Sequence, residues 1–245
     1  MARRIPIGDG LGDTHEHNSR LTPMARMTPE RRAFIEQLAD EILAHYPRGR
    51  LTIAVDGPDG AGKREFADDL GRELEKRGHP TFRASIDDFH RPSEYRYRKG
   101  RFSPEGCYED SYNYSVFRRV LIEPFRMAGS TAFVTAAFDY VRDVQIEPKW
   151  LTGPPDLYLI VDGVFLNRPE LRGLWNFSIW VDAALATRQE RMLAREGVKP
   201  GSQLDQRYSG AQELYERDAH PRDAASAIVD NTDPDRPRRI FEDSC

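Results

Sequence analysis

Short apolar runs alternate with longer amphipathic segments along most of this chain. The runs are long enough for buried strands and too short for helices, and they lie at 51–55, 80–86, 132–138, 157–161, 177–181 and 228–229. Between them, apolar side chains recur every three or four residues, which predicts helices over 28–46, 66–74, 116–121, 184–195 and 204–215. Strands that alternate with helices predict an α/β fold with a mostly parallel sheet flanked by helices on both faces.

The ends of the chain differ from its centre. Residues 1–27 mix Arg, Gly, Asp, His and Pro with little apolar periodicity, so we expect a flexible tail there. We expect a folded domain over 28–232, and a second tail in the charged, proline-rich segment 233–245. Within the domain, residues 91–114 are rich in Arg, Tyr and Gly and predict a long irregular excursion, whose length is typical of lids and binding segments.

Composition limits the classes of function. The 245 residues are 39% hydrophobic and 31% charged, which suits one globular domain. The net charge of −4 argues against a nucleic-acid partner, although basic and aromatic residues interleave over 95–102 as in single-strand sites and in lids over phosphorylated substrates. No apolar run approaches the length of a membrane span, and the two cysteines lie far apart. We therefore expect a cytoplasmic protein with no membrane partner.

The strongest motif follows the run at 51–55. It fits the spacing G-x-x-x-x-G-K of a phosphate-binding loop, and a helical pattern follows it directly. Successive backbone N–H groups and the helix N-terminus would surround a phosphate, and the lysine would reach the outer phosphates. A dinucleotide-binding fingerprint fits the glycine spacing less well. The positions expected to bind a nucleotide are Gly57, Pro58, Asp59, Gly60, Ala61, Gly62, Lys63 and Arg64, and we call residues 57–64 the phosphate loop.

Arg64 departs from this motif. The position normally carries Ser or Thr, whose hydroxyl ligates Mg²⁺, so the phosphate half of the site is complete and the metal half lacks one ligand. Mg²⁺ usually keeps several waters and takes one or two protein ligands, and a water could replace the missing hydroxyl. Alternatively, the Arg64 cation disfavours the metal and substitutes for part of its charge.

Acidic residues follow the other predicted strands, where ligands of parallel sheets bind. Asp162 comes directly after the most apolar strand and is the expected Mg²⁺ contact. Asp87, or its neighbour Asp88, follows the second strand, where a general base could accept the proton of an attacking hydroxyl. Helical spacing puts three arginines on one face, and such a face suits a lid that closes over phosphates; they are Arg188, Arg191 and Arg195.

These segments together resemble the uridine kinase branch of the P-loop kinases, and most closely the uridine kinase-like proteins of actinobacteria. The resemblance runs in order from about residue 50 to residue 232, through 56–63, 84–92, 105–114, 138–139, 159–166 and 187–195. It implies a P-loop NTPase fold of the kinase type with a five-stranded parallel core and a lid. ATP, or GTP, would be the donor together with Mg²⁺, and a nucleoside-like hydroxyl would be the acceptor.

The resemblance also implies roles for individual residues. Lys63, Asp87, Arg188 and Arg191 would be catalytic, with Asp87 as the base, and the nucleotide base would lie near the loop after residue 229. Substrate contacts would come from Asp87, His90, Asp110, Phe138, Asp139 and Arg195. Two hypotheses follow. The protein is an ATP-dependent kinase that phosphorylates a nucleoside-like small molecule, or it is a nucleotide-binding protein with weak or no turnover because of Arg64.

Overall fold

A computed structural model describes residues 27–129 and 131–241, so the expected N-terminal tail lies outside these residues except for residue 27. The strands of its main sheet are β1 (Arg50–Asp56), β2 (Thr81–Ser85), β5 (Leu157–Asp162), β6 (Phe177–Asp182), β7 (Ala227–Asp230) and β8 (Arg238–Ile240), and β3 (Phe138–Asp139) and β4 (Val144–Gln145) form a separate hairpin. The six strands of the main sheet lie in the order β2-β5-β1-β6-β7-β8. Five of them are parallel and β8 is antiparallel to β7.

Helices connect these strands. Thr28 begins the first of them, because its hydroxyl accepts a hydrogen bond from the N–H of Arg31 at 3.2 Å and Pro29 occupies the first turn. A π-helical turn, Arg118–Ile122, lies between the fifth and sixth helices. The helices are α1 (Pro29–His45), α2 (Lys63–Lys76), α3 (Ser93–Arg96), α4 (Pro104–Asp110), α5 (Tyr114–Phe117), α6 (Glu123–Met127), α7 (Leu185–Glu196) and α8 (Gln203–Ala219).

Both faces of the sheet are buried, which explains the nearly continuous apolar strands. On β1, Ile53 and Val55 point to the face covered by α1 and α2, and Ala54 between them points to the opposite face. On that opposite face, Phe117 and Tyr215 pack against the sheet from α5 and α8. The predicted α/β arrangement, with a mostly parallel sheet flanked by helices, is confirmed.

One predicted strand is wrong. Residues 132–138 do not join the main sheet; Phe138 pairs in the hairpin with β4, and Phe133 forms an isolated antiparallel bridge with Leu151. Phe133 also packs edge-on against Phe82 and Phe125, with ring centroids 5.3 and 5.4 Å away. The apolar run is therefore buried as a segment that covers the sheet, and such burial satisfies the same sequence pattern as a strand.

Two further segments are more regular than the sequence indicates. Residues 91–114 contain α3 and α4 and are not a wholly irregular excursion. The segment 233–245, expected as a tail, provides β8 at the edge of the sheet. Arg239 on β8 explains how so charged a strand is held: its guanidinium pairs with Glu41 of α1 at 3.1 Å and donates to the carbonyl oxygen of Ser226 at 2.9 Å.

The fold brings the carboxyl ends of five parallel strands to one edge. The register aligns Val55 and Ser85 with Asp162, so the strand that precedes the phosphate loop is adjacent to the strand that ends in Asp162. Within the described residues, no helix is both long and apolar enough to cross a membrane.

Candidate nucleotide and acceptor site

The phosphate loop joins β1 to α2, and close backbone approach requires its glycines. Gly57 has a φ of +148°, and a Cβ there would lie 2.0 Å from the carbonyl oxygen of Val181 on β6. Gly60 has a φ of +77°, and a Cβ there would lie 2.6 Å from the carbonyl oxygen of Arg188 on α7. Only glycine fits both the dihedral angles and the space. The loop is therefore packed between the end of β6 and the first turn of α7.

Lys63, the first residue of α2, folds back onto the loop. Its Nζ donates a hydrogen bond to the carbonyl oxygen of Pro58 at 2.8 Å. Burial lowers the pKa of Lys63, and the nearby carboxylates of Asp59, Asp56 and Asp87 act in the opposite direction. The ammonium group therefore lies among acids and holds a backbone carbonyl that an incoming phosphate oxygen could replace.

A buried polar network lies beneath the loop, and the sequence analysis missed it. Asp56 ends β1 and is fully buried. Its carboxylate accepts hydrogen bonds from the N–H of Gly57 at 2.8 Å, from the N–H and side-chain amide of Asn167 at 3.0 and 2.9 Å, and from the hydroxyl of Tyr215 on α8. Burial raises the pKa of Asp56, although Tyr215 and Gly57 oppose that shift. The network ties α8 to the first residue of the phosphate loop.

Arg191 on α7 connects the loop to the end of β7. One of its Nη atoms donates to the carbonyl oxygen of Gly60 at 3.1 Å, and the other donates to the carbonyl oxygens of Asn231 and Thr232 at 3.1 and 3.0 Å. The side-chain amide of Asn231 donates in turn to the carbonyl oxygen of Ala61 at 2.7 Å. The predicted lid helix therefore contacts the phosphate loop directly.

The other two predicted lid arginines have different partners. Arg188 donates from Nε to the carbonyl oxygen of Ala183 at 3.0 Å. Arg195 pairs with Glu196 at 2.6 Å, and the pKa of Arg195 is raised by Glu196 and Asp59 against the effect of burial. Arg195 therefore lies in the electrostatic field of the phosphate loop, whereas the side chain of Arg188 bonds to the chain that precedes its own helix.

A cavity of about 450 Å³ lies between the phosphate loop, α7 and the segment after β7. Its lining includes Arg31, Gly62, Glu65, Arg191, Arg195 and Asn231. Arg31 of α1 fixes one wall, because its Nη1 donates to the side chain of Asn231 at 3.3 Å and to the carbonyl oxygen of Pro234 at 2.7 Å. This cavity lies beside the loop after residue 229.

Asp87 lies in a 3₁₀ turn (Ile86–Phe89) that follows β2. The hydroxyl of Tyr112 donates to its Oδ1 at 3.2 Å, and Arg64 lies 3.8 Å from its Oδ2. Burial, and secondarily the charge of Asp87, raises the pKa of Tyr112 well above its ordinary value. Tyr112 therefore stays a hydrogen-bond donor to the predicted base.

His90 follows the same turn and has aromatic neighbours. Its Nδ1 bonds to the carbonyl oxygen of Asp87 at 2.7 Å, and its ring stacks on Tyr140 and tilts against Tyr112, with centroids 4.9 and 4.5 Å away. Burial lowers the pKa of His90. A neutral ring with its proton on Nδ1 keeps Nε2 as an acceptor. His90 and Asp87 thus lie on the same turn, and their roles as substrate contact and base remain predictions.

The hairpin that carries Tyr140 is attached to α3 by Asp143. The Asp143 carboxylate accepts from the N–H of Ser93 at 2.8 Å and from the hydroxyl of Ser93 at 2.5 Å, and it pairs with Arg96 at 2.7 Å. These hydrogen bonds lower the pKa of Asp143. The hairpin and the 91–114 segment therefore form one continuous wall beside Asp87.

Asp110 and Asp139, both predicted substrate contacts, already have protein partners. Asp110 is 2% exposed and makes a two-point ion pair with Arg98, at 2.5 and 3.0 Å. Asp139 accepts from the N–H groups of Val141 and Arg142, each at 3.0 Å, and so stabilises the turn of the hairpin. Phe138, the third residue of this predicted set, is buried at the base of the hairpin. Asp110 and Asp139 thus use their carboxylates within the protein, and their substrate roles remain predictions.

The interleaved segment 95–102 also uses its groups within the protein. The ring of Tyr95 lies between the guanidinium groups of Arg91 and Arg98, each 4.2 Å from its centroid. Arg98 also forms an ion pair with Asp110, and Arg96 forms one with Asp143. Cation–π stacking inside the fold therefore accounts for the pattern that single-strand nucleic-acid sites share.

The surroundings of Asp162 do not favour a metal. One carboxylate oxygen pairs with Arg83 at 2.7 Å and the other accepts from the hydroxyl of Ser85 at 3.3 Å. Arg83 is largely buried and pairs also with Asp68 at 3.0 Å. In the described ranges, no group of three or more His, Cys, Asp or Glu side chains is placed to hold a metal ion. The residues present thus do not fit the Mg²⁺ that the resemblance implies.

Arg64 adds a positive charge to the same corner. It is the second residue of α2, and its side chain is 56% exposed. Burial lowers its pKa, but the nearby Asp162, Asp87 and Tyr140 outweigh this effect and raise it. The guanidinium therefore lies among the acidic groups that were expected to hold and surround a metal.

Several site residues escaped the sequence analysis, and only one left a clear signal. Arg83 is a charged residue inside a predicted strand, and a charge there needs a buried partner. Tyr112, Tyr140 and Asn231 left no such signal, because each reaches the site from a loop or hairpin whose position depends on the whole fold.

Comparison with known proteins supports the fold. No protein-family model and no curated protein matches the sequence. Among solved structures, the chain is similar to a possible uridine kinase from Bacillus stearothermophilus, with 21% identity, a TM-score of 0.65, and coverage of 80% of this chain and 97% of that one. It is also similar to a candidate fructose transport system kinase from a Silicibacter species, with 23% identity, a TM-score of 0.57, and coverage of 78% and 94%.

The chain has the fold of a P-loop kinase. At these identities the likeness is one of fold, so it confirms the predicted α/β class. It does not test the resemblance to the uridine kinase-like proteins of actinobacteria, and that resemblance stays a prediction.

Proposed function

We propose that this protein is a phosphotransferase that moves the terminal phosphoryl group of ATP or GTP to a hydroxyl of a nucleoside-like small molecule. The observation that best supports this function is the proximity of Lys63 and Asp87. The lysine that would hold the phosphates lies in the field of the carboxylate that would take the acceptor's proton. Both lie at the carboxyl edge of a parallel sheet, where such sheets bind their ligands.

The phosphates of the donor would lie on the phosphate loop and the N-terminus of α2, because helix N-termini attract anions. Lys63 would exchange the carbonyl oxygen of Pro58 for a phosphate oxygen. The base of the nucleotide would enter the cavity beside Arg191 and Asn231, the region that the sequence resemblance also implies. Arg31 and Arg191 line this cavity and are held by backbone carbonyl oxygens, and their charges favour an anionic ligand.

The acceptor would bind in front of Asp87 and His90. Asp87 would take the proton of the acceptor's hydroxyl while the hydroxyl oxygen bonds to the terminal phosphorus of the donor. The bond from that phosphorus to the nucleoside diphosphate would break, and the diphosphate would leave. The Nε2 atom of His90 would accept a hydrogen bond from the acceptor, and the exposed ring of Tyr140 would offer it a flat apolar surface. Lys63 with Arg188, Arg191 and Arg195 would neutralise the charge that develops on the phosphoryl group.

Nucleotide binding with weak or no turnover is the second candidate. The observation that favours it is the position of the Arg64 guanidinium, 3.8 Å from Oδ2 of Asp87, because a cation at that position repels Mg²⁺. The kinase names of the two solved structures favour the first candidate.

A panel of acceptors tests the two candidates. The purified protein is incubated with ATP or GTP and with ribonucleosides, deoxyribonucleosides or hexoses, and phosphorylated products are detected by mass spectrometry. The first candidate requires one acceptor class to be phosphorylated by the wild type and not by Lys63→Ala. Saturable nucleotide binding by the wild type without transfer to any acceptor supports the second candidate. Absence of nucleotide binding contradicts both.

A further inference from the structure

We infer that Arg64 supplies the positive charge that Mg²⁺ supplies at other phosphate loops, so that this protein binds a nucleoside triphosphate without a divalent cation. The inference rests on the proposed function, because it concerns the same phosphate site.

Arg64 occupies the position of the motif hydroxyl. It follows Lys63 at the start of α2, where a motif Ser or Thr presents its hydroxyl to the metal beside the outer phosphates. An arginine at that position projects a cation into the region where the metal would be bound. A guanidinium also offers a planar pair of donors that matches two phosphate oxygens.

Acidic groups lie near Arg64. Its charge is stabilised by the carboxylates of Asp162 and Asp87. Its contact with Asp87 is long, at 3.8 Å, and more than half of the side chain is exposed to solvent. The guanidinium is therefore held near the phosphate site without being fixed, and it can turn to a phosphate oxygen when a nucleotide arrives.

Asp162, the expected metal ligand, already pairs with Arg83. A divalent cation at Asp162 would have to displace Arg83, which is largely buried between the carboxylates of Asp162 and Asp68. Removing that guanidinium would leave Asp68 without its ion pair to Arg83. Because two protein cations, Arg83 and Arg64, already balance these acids, the corner has little remaining charge with which to attract a metal.

Exchange of partners by Arg64 would also have a consequence for Asp87. When the guanidinium turns to the phosphates, the ion pair with Asp87 breaks. The carboxylate of Asp87 then loses this cationic neighbour at the moment when the donor is bound. Arg64 would thus couple occupation of the donor site to release of the base.

The experiment is a calorimetric titration of the full chain with ATP, once with excess Mg²⁺ and once with excess EDTA. We expect the dissociation constant of the wild type to differ by less than about fivefold between the two conditions. Arg64→Thr restores the motif hydroxyl and removes the cation, so its affinity should be at least about fivefold higher with Mg²⁺ than with EDTA.

Two further variants separate charge from shape. Arg64→Lys keeps a cation and should stay insensitive to the metal. Arg72→Thr makes the same kind of substitution farther along α2, where Arg72 pairs with Asp69, and it should behave as the wild type does.

The outcomes distinguish this inference from the proposed function. A wild type that loses fivefold or more of its affinity in EDTA contradicts the inference while it supports nucleotide binding. An Arg64→Thr protein that binds equally well in both conditions contradicts it too. Wild-type protein that binds no ATP in either condition overturns the proposed nucleotide site, and the inference with it.

Discussion

The hydroxyl of Tyr215 donates a hydrogen bond to the buried carboxylate of Asp56, the last residue before the phosphate loop. The N–H of Asn167 bonds to both groups, at 2.8 Å to the hydroxyl and 3.0 Å to the carboxylate. Because Tyr215 lies on α8 and Asp56 ends β1, this contact joins a distant helix to the floor of the nucleotide site.

We expect Tyr215→Phe to lower the free energy of unfolding by about 1.5–3 kcal/mol, because it removes a buried hydrogen bond to a carboxylate. Chemical denaturation measures this change. Tyr208→Phe on the same helix is the control, since its hydroxyl lies outside the network, and it should cost less. Equal stability of Tyr215→Phe and the wild type would show that the network contributes nothing.

The same carboxylate predicts a dependence of stability on pH. Burial raises the pKa of Asp56 above its ordinary 3.8, so the folded protein holds this proton more tightly than the unfolded chain does. The contribution of Asp56 to stability is therefore full below pH 3.8 and is lost as the pH rises through the folded pKa. We expect the stability of the wild type relative to Asp56→Asn to fall over that window. A difference that is constant from about pH 4 to pH 8 contradicts the raised pKa.

Lys63→Ala tests the phosphate site. It removes the ammonium that would bond to the outer phosphates, and a charge-assisted hydrogen bond of this kind is worth about 10–100-fold in affinity. A titration with ATP or GTP gives the dissociation constants. Lys76→Ala is the matched control, because Lys76 lies at the opposite end of α2 and pairs with Glu36 and Glu73. If Lys63→Ala and Lys76→Ala bind equally well, the phosphates do not lie on this loop.

Asp87→Asn tests the base. We expect it to keep nucleotide affinity and to slow phosphoryl transfer by about 10²–10⁴-fold, the contribution of a positioned base. Initial rates with the accepted substrate, measured beside a nucleotide titration, separate the two effects. Asp88→Asn changes the adjacent carboxylate. Loss of transfer in Asp88→Asn together with normal rates in Asp87→Asn would assign the role of base to Asp88.

Local sequence pattern was sufficient to predict the centre of this site. The strand before the phosphate loop, its glycines and the helix after it are adjacent in the chain, so their spacing alone specifies their arrangement. The acids at the ends of β2 and β5 were also predictable, because parallel strands put their carboxyl ends at one edge.

Contacts between distant segments could not be predicted in the same way. The pair of Arg83 with Asp162 spans 79 residues, and the hydrogen bond of Arg31 to Asn231 spans 200. Residues 132–138 show the same limit, since burial against Phe82 and Phe125 and burial in a strand demand the same apolar side chains. Only the packing of the whole chain distinguishes these cases, and it also decides that Asp162 binds Arg83.

The hairpin beside Asp87 gives the last prediction. Asp143 has a φ of +57° at its turn and holds the hairpin to α3 through Ser93 and Arg96. Without its carboxylate, the hairpin loses the contacts that hold Tyr140 over His90, and the wall of the acceptor site should loosen. We therefore expect Asp143→Ala to raise the KM for the acceptor by about tenfold and to leave nucleotide affinity unchanged, since the nucleotide cavity is lined by the phosphate loop, α1, α2, α7 and the segment after β7.

Initial rates at varied acceptor concentration, together with an ATP titration, measure the two effects of Asp143→Ala. Glu147→Ala, an exposed acid just beyond the hairpin, is the control and should change neither value. Because the pKa of Asp143 is lowered by Ser93 and Arg96, the contact should persist into mildly acid solution and the KM of the wild type should not rise there on its account. An Asp143→Ala protein with the acceptor KM of the wild type would show that the acceptor does not bind against this hairpin. An equal loss of nucleotide affinity would instead indicate that the hairpin supports the whole site.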